Sequence, residues 1–164
     1  MKNNPEIALN IQTETYKYPS VNIIGKIEGT DPQLKKEYVL LSGHQDHDGI
    51  RHPVKNDTIY NGADDNASTC VAMLAMARAY NKEPSKRSIL FVIHGAEERG
   101  LLGSRWHAAH PVVPKESIVA VLNGDMIGRN DNNEAALLGS EVPHKNSEEL
   151  VKMALDANNE STKF

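Results

Sequence analysis

The amino-acid sequence predicts an α/β fold, a three-layer sandwich with helices on both faces of a central sheet. Three observations predict it. Short apolar runs rich in β-branched residues recur at 38–42, 89–93 and 117–122, each too short for a helix. Stretches of helical composition alternate with these runs, and elements alternating in this way bury their apolar faces as layers. The chain has 164 residues, enough for one domain with a real core.

In chain order, residues 18–27 have strand composition and 28–32 read as a turn. Residues 38–42 read as a central strand, ending in Gly43-His44-Gln45-Asp46-His47-Asp48-Gly49. The stretch 50–60 looks irregular, with Pro53 and Asn56-Asp57. A helix is predicted over 68–80. Val71, Leu74, Ala75 and Arg78 fall on one face, while Met73, Met76 and Ala77 make it apolar nearly all round, so it should pack on the sheet and be covered on another side. Residues 82–86 form a polar, proline-broken connection. The buried strand 89–93 then runs into Glu97-Glu98, where Gly95, Gly100 and Gly103 turn the chain. A short helix near 103–109 is closed by Pro111. Strand 117–122 ends in Asn123-Gly124-Asp125, and 134–139 reads as one more short strand. A last helix starts at Asn146, capped with Glu149 three residues on, with Leu150, Met153, Ala154 and Ala157 on its apolar face.

Composition removes several classes of function. The net charge of −4 marks neither a nucleic-acid nor an anionic-membrane partner. No apolar run has the length of a membrane span, and Met1-Lys-Asn-Asn-Pro5 lacks the apolar core of a signal peptide. The lone Cys70 excludes an internal disulfide.

What remains is ligand chemistry. Three apolar strands end in His44/Asp46, Glu97/Glu98 and Asp125, and a further acidic pair, Asp64-Asp65, precedes a helix. In α/β sheets chemistry collects at the carboxyl ends of strands, so these residues should converge. Adjacent carboxylates repel and call for a compensating cation or a shared proton. One histidine with several carboxylates suits zinc, manganese or cobalt. A glutamate lying beside a ligand can serve as general base to a metal-bound water.

Four motifs carry a resemblance: His44-Gln-Asp46, Gly62-Ala-Asp-Asp65-Asn-Ala-Ser68, Glu97-Glu98-Arg-Gly-Leu-Leu-Gly-Ser104 and Asn123-Gly-Asp125-Met-Ile-Gly128. In this order and at these intervals they resemble the cocatalytic zinc exopeptidases that include bacterial leucyl aminopeptidase, plasma glutamate carboxypeptidase and glutamate carboxypeptidase II. The resemblance implies a mixed, largely parallel sheet. It implies His44 and Asp125 on one zinc, Glu98 on a second and Asp65 bridging both. Asp46 would orient the His44 imidazole through its other ring nitrogen, and Glu97 would be the general base. It also implies a cis peptide between Asp65 and Asn66, and a peptide substrate.

The family carries one more ligand, a histidine in a late Ser-Asp-His segment, and this chain has none; His144, in Pro143-His-Lys145, lies ahead of the last helix. The expectation is therefore an N-terminal extension over 1–17 and an incomplete catalytic domain over 18–164 whose C-terminal strands are missing. Such a chain should bind one zinc or none and be weak or inactive, and its exposed apolar edge would favour self-association. Relatives are often exported, which suggests a periplasmic or extracellular parent. A smaller departure is Thr69, where relatives commonly have glycine.

Other residues near the motifs have plainer readings. His47, Asp48 and His52 read as a polar loop, and Asp64 as a hydrogen-bonded turn acid. His94 reads as a core histidine, His107 and His110 as solvated, Arg99 as a salt-bridge partner and Cys70 as buried and inert. Two further functions share the predicted fold: a single-zinc acyltransferase of the glutaminyl cyclase type, and a non-catalytic binding domain such as the transferrin receptor ectodomain.

Overall fold

The apolar runs form the middle of a sheet because both of their faces find helices or loops to pack against. The computed structural model describes residues 10–14, 17–129, 134, 136–139 and 147–161. In chain order the elements are β1 (Ile23–Ile27), β2 (Tyr38–His44), β3 (Gly49–Val54), β4 (Asp57–Tyr60), α1 (Ala67–Lys82), β5 (Ser88–His94), α2 (Leu102–Ala109), β6 (Ile118–Asn123) and α3 (Glu148–Ser161). The main sheet has the order β1-β5-β2-β6. β5, β2 and β6 are parallel and β1 is antiparallel to β5, so the sheet is mixed and largely parallel, as expected.

Side chains alternate across each strand, and the two sets of apolar residues build two cores. On one face Leu41, Ile89 and Phe91 pack with Met73 of α1, and Met76, Ala77 and Tyr80 extend the contact. On the other face Leu40, Leu90 and Val92 pack with Tyr38, Val113 and Ile118. On that second face the ring of His107, from α2, lies 5.8 Å from the ring of His94 at the end of β5. The layers are therefore α1, sheet and α2.

Several expectations need correction. The face of α1 that packs on the sheet is Thr69, Met73, Met76, Ala77 and Tyr80, and the expected cover on another side is not found over Val71 and Leu74, which are 65% and 56% exposed. An apolar composition all round gave no periodicity from which to choose the face. The stretch 50–60 is ordered as the hairpin β3–β4, turned by Lys55 and Asn56, both at positive φ (51° and 69°). Two such residues make the tight primed turn that suits paired strands; Pro53 disguised a two-stranded ribbon whose edges are exposed. β1 starts at Ile23, leaving 17–22 without regular structure. The described residues of 134–139 are not in a strand, and the expected cap Asn146 and His144 lie outside the described residues. His107 is buried, because α2 turns that side chain onto the sheet.

β6 closes one edge of the sheet among the described residues, with Val119, Val121 and Leu122 each two-fifths exposed or more. No described helix is long and apolar enough to cross a membrane.

Met73 is 2% exposed at the centre of the larger core. Met73→Ala should destabilise the protein by about 2–5 kcal/mol, whereas Val71→Gln should change stability by about 0.5 kcal/mol at most. Urea unfolding of the two variants measures both; equal effects would contradict the packing described.

Candidate metal centre

The sheet register brings the site together. His44 ends β2 opposite His94 of β5, and Ser42 stands opposite Asn123 of β6. The parallel strands thus stop at one level. Glu97 and Glu98 come within four residues of the end of β5, Asp125 two residues after β6, and Asp65 just ahead of α1.

Glycine makes the close approach of α1 possible. The Thr69 methyl would lie 2.6 Å from a Cβ on Gly43 and 2.7 Å from one on Gly124, so neither position accepts a side chain. Thr69 itself is buried, filling that space as a glycine would not. Asn66, also buried, donates from Nδ2 to the Gly124 carbonyl at 3.1 Å. The Asp65–Asn66 peptide is cis, as the resemblance implied. Asp64 accepts from the Gly128 N–H at 2.8 Å and is a turn acid. Ala96 and Met126, beside Glu97 and Asp125, take the left-handed backbone with φ 55° and 50°, a conformation uncommon outside glycine.

His44 is the centre of the first cluster, its side chain 5% exposed. Its Nδ1 lies 3.0 Å from the Asp46 main-chain carbonyl. A carbonyl only accepts, so in the neutral ring Nδ1 carries the proton and Nε2 presents a lone pair. That Nε2 faces Asp65 Oδ1 at 3.1 Å, Asp125 Oδ1 at 3.5 Å and Glu97 Oε2 at 3.9 Å, yet makes no hydrogen bond. Asp65 Oδ1 is likewise buried and without a hydrogen-bond partner. A lone pair set among carboxylate oxygens is repulsive unless a cation stands between them. One imidazole and two carboxylates are a donor set suited to zinc or manganese, and the orphaned atoms fit such an ion.

A second cluster lies on the far side of Asp65. His47 Nδ1 is 2.6 Å from Glu98 Oε1 and 3.8 Å from Asp65 Oδ2. Asp65 thus turns one oxygen to each histidine. The Asp46 carboxylate accepts from the N–H groups of Glu97 at 2.9 Å and Glu98 at 3.2 Å. It is 3.8 Å from His44 Nδ1, beyond hydrogen-bond reach. The His44 ring is therefore held by the Asp46 main chain, while the Asp46 carboxylate fixes the Glu97-Glu98 turn.

The chain matches the model of Peptidase family M28 over residues 22–163. It belongs to that family. Among curated relatives it is 37% identical over 93 residues to a vacuolar membrane protease of Kluyveromyces lactis, covering 57% of this chain and 9% of that one. It is 28% identical over 151 residues to a probable leucine aminopeptidase of Arthroderma otae, covering 87% and 39%. Among solved structures, a Zn-dependent exopeptidase from Parabacteroides distasonis has a TM-score of 0.54 at 30% identity, covering 65% of this chain and 41% of that one. A Bacteroides thetaiotaomicron glutaminyl cyclase bound to N-acetylhistamine has a TM-score of 0.56 at 26% identity, covering 67% and 42%. The chain thus spans less than half the length of these relatives.

The six site residues singled out in the sequence lie together: His44, Asp65, Asp125 and Glu97 meet directly, and Glu98 and Asp46 flank them. His47 is the residue that sequence reasoning set aside as loop. Its one sequence signal was a second histidine three positions from His44, which no periodicity distinguishes from a polar turn. His52 is exposed, as is His110, which stacks on Trp106 with ring centroids 3.9 Å apart. Arg99 and Arg51 both pair with Asp48. Gln45 ties the lead-in of β1 to the site, donating to the Val21 carbonyl at 2.9 Å. The Cys70 thiol donates to the His44 carbonyl, and burial pushes its pKa up, away from reactivity. A cleft of about 540 Å³ runs from His44, Glu97 and Asp125 past Leu101, His94 and His107. Burial holds both of those histidines below the ordinary imidazole range, and for His94 the neighbouring His107 and His44 add to it.

Burial pushes the Glu97 carboxyl up from the ordinary range; Glu98, Asp125 and Asp46 act in the same direction and His44 opposes them. A carboxyl whose folded pKa exceeds its unfolded value costs stability as pH rises through the window between them. In chelator-treated protein, Glu97→Gln should therefore raise the Tm at neutral pH. The gain should fade as pH falls below the ordinary glutamate range, about 4.3. A variant no more stable at pH 7 would contradict the electrostatic description of the site.

Proposed function

We propose that the protein is a zinc-dependent exopeptidase of the aminopeptidase kind, hydrolysing the peptide bond at a chain terminus with Glu97 as general base. The observation that carries this reading is the buried lone pair of His44 Nε2 set among Asp65, Asp125 and Glu97. In this reading His44, Asp125 and Asp65 hold one zinc, and Asp65 also serves a second beside Glu98. Zinc bound there supplies an acidified water and a Lewis acid for the carbonyl of the scissile bond.

The protein's own part is placement and proton transfer. Glu97 stands at the edge of the first cluster without being its nearest ligand, 3.9 Å from Nε2. Its raised pKa suits a group that takes a proton from the attacking water and returns it to the leaving amine. Asp46 holds the Glu97 and Glu98 main chain so that the two carboxylates point to different clusters. The cleft past Leu101 and His94 has room for the substrate's terminal side chain. The presence of two ligand clusters supports this reading over acyl transfer of the glutaminyl cyclase kind, which would need one zinc and which the Bacteroides likeness keeps as the second candidate.

With zinc present, a peptide with a free amino terminus should be shortened and an N-terminally blocked one spared. Glu97→Gln should lower kcat by about 10²–10⁴-fold while retaining zinc. Cleavage that persists in excess chelator, or a Glu97→Gln variant with unchanged kcat, would overturn the proposal. Release of ammonia from N-terminal glutamine without peptide cleavage would favour the cyclase reading.

A further inference from the structure

We infer that His47 completes a second three-ligand metal site with Glu98 and Asp65, so that this chain holds both ions of a metal pair from its own residues. The inference rests on the zinc reading above and names a ligand that the four motifs do not contain. It also departs from the sequence expectation that the chain carries one zinc or none.

Three observations support it. First, the donor atoms are of the right kind and nearly the right spacing. One ligand atom from each of His47, Glu98 and Asp65 lies within 4.8 Å of the other two. Ligands about 2.1 Å from a tetrahedral zinc stand roughly 3.4 Å apart. The observed 3.8 Å from His47 to Asp65 and 2.6 Å from His47 to Glu98 bracket that spacing. To reach that spacing Glu98 and His47 would move apart from their 2.6 Å contact. An ion there would take the place of the direct His47–Glu98 hydrogen bond.

Second, Asp65 is already divided between two centres. Oδ1 faces His44 and Oδ2 faces His47. Oδ1 is buried on the His44 side without a hydrogen-bond partner. The second oxygen of the same carboxylate is the one that stands on the His47 side, 3.8 Å from Nδ1.

Third, the supports of His47 are built in. A Cβ on Gly62, which has φ +68°, would lie 2.8 Å from the His47 Cβ. Only glycine lets the 62–65 turn sit against this histidine. The Tyr60 ring stands 6.3 Å away on the hairpin side. Glu98 is fixed through its N–H by Asp46 at 3.2 Å. The histidine side chain is 21% exposed and so is that of Glu98, which leaves an entry path for the ion.

The test is metal stoichiometry of the purified chain by isothermal titration with zinc after chelation, on wild type, His44→Gln and His47→Gln. Two ions for wild type and one for each variant is the expected result, with the affinity of the remaining site lowered by at most about tenfold. A wild type that binds one ion, lost in His44→Gln and kept in His47→Gln, overturns this inference while leaving the first centre standing. Two ions in His47→Gln likewise overturn it. No zinc in wild type removes both readings. Because a variant can fail to fold, His47→Cys loaded with cobalt gives a second measurement. A thiolate-to-cobalt charge-transfer absorption absent from the wild type, which keeps Cys70 as an internal control, is expected. Its absence in folded His47→Cys, shown by native circular dichroism, overturns the assignment.

Discussion

The constraint on which this structure depends is electrostatic. A buried imidazole has committed one nitrogen to a main-chain carbonyl, and its other nitrogen offers a lone pair to oxygen atoms that also carry negative charge. Nothing among the described residues supplies a hydrogen there. Buried polar atoms are nearly always satisfied, and an unsatisfied one facing like charge marks a position where a cation is needed to balance the site. The arrangement is costly for the empty protein and favourable for the loaded one, which couples stability to metal binding.

The fold makes that arrangement possible through its parallel strands. β2, β5 and β6 run the same way and stop together, so residues separated by eighty positions arrive at one edge. The glycines at the strand ends let α1 come close enough to deliver Asp65. Asn66 and Asp64 then bind α1's lead-in to the loop after β6. Asp46 is the connector whose removal would be felt at both centres, since its main chain holds His44 and its carboxylate holds the Glu97-Glu98 turn.

Much of this was legible in the sequence. Three apolar runs with acids or histidine just beyond them gave the parallel core and the meeting of His44, Asp65, Glu97, Glu98 and Asp125. The legibility came from a strong physical pattern: fully buried strands are short, continuous and apolar, and the residues just past their carboxyl ends sit at the sheet edge. The sequence was silent where the governing contact was long-range. The packed face of α1 could not be chosen, because residues on every side were apolar. The β3–β4 hairpin is exposed on both faces, so it carried no alternation to read. His107 looked like a surface residue until α2 folded back onto β5. His47 sits in a loop whose identity as part of a cluster depends on Glu98, fifty-one positions away.

Anomalous diffraction at the zinc edge, from crystals of the protein soaked with zinc, tests the central claim most directly. The account predicts a peak roughly 2.0–2.2 Å from His44 Nε2 and from one oxygen each of Asp65 and Asp125. Zinc bound only at exposed histidines such as His110, with no peak among those three atoms, would contradict it.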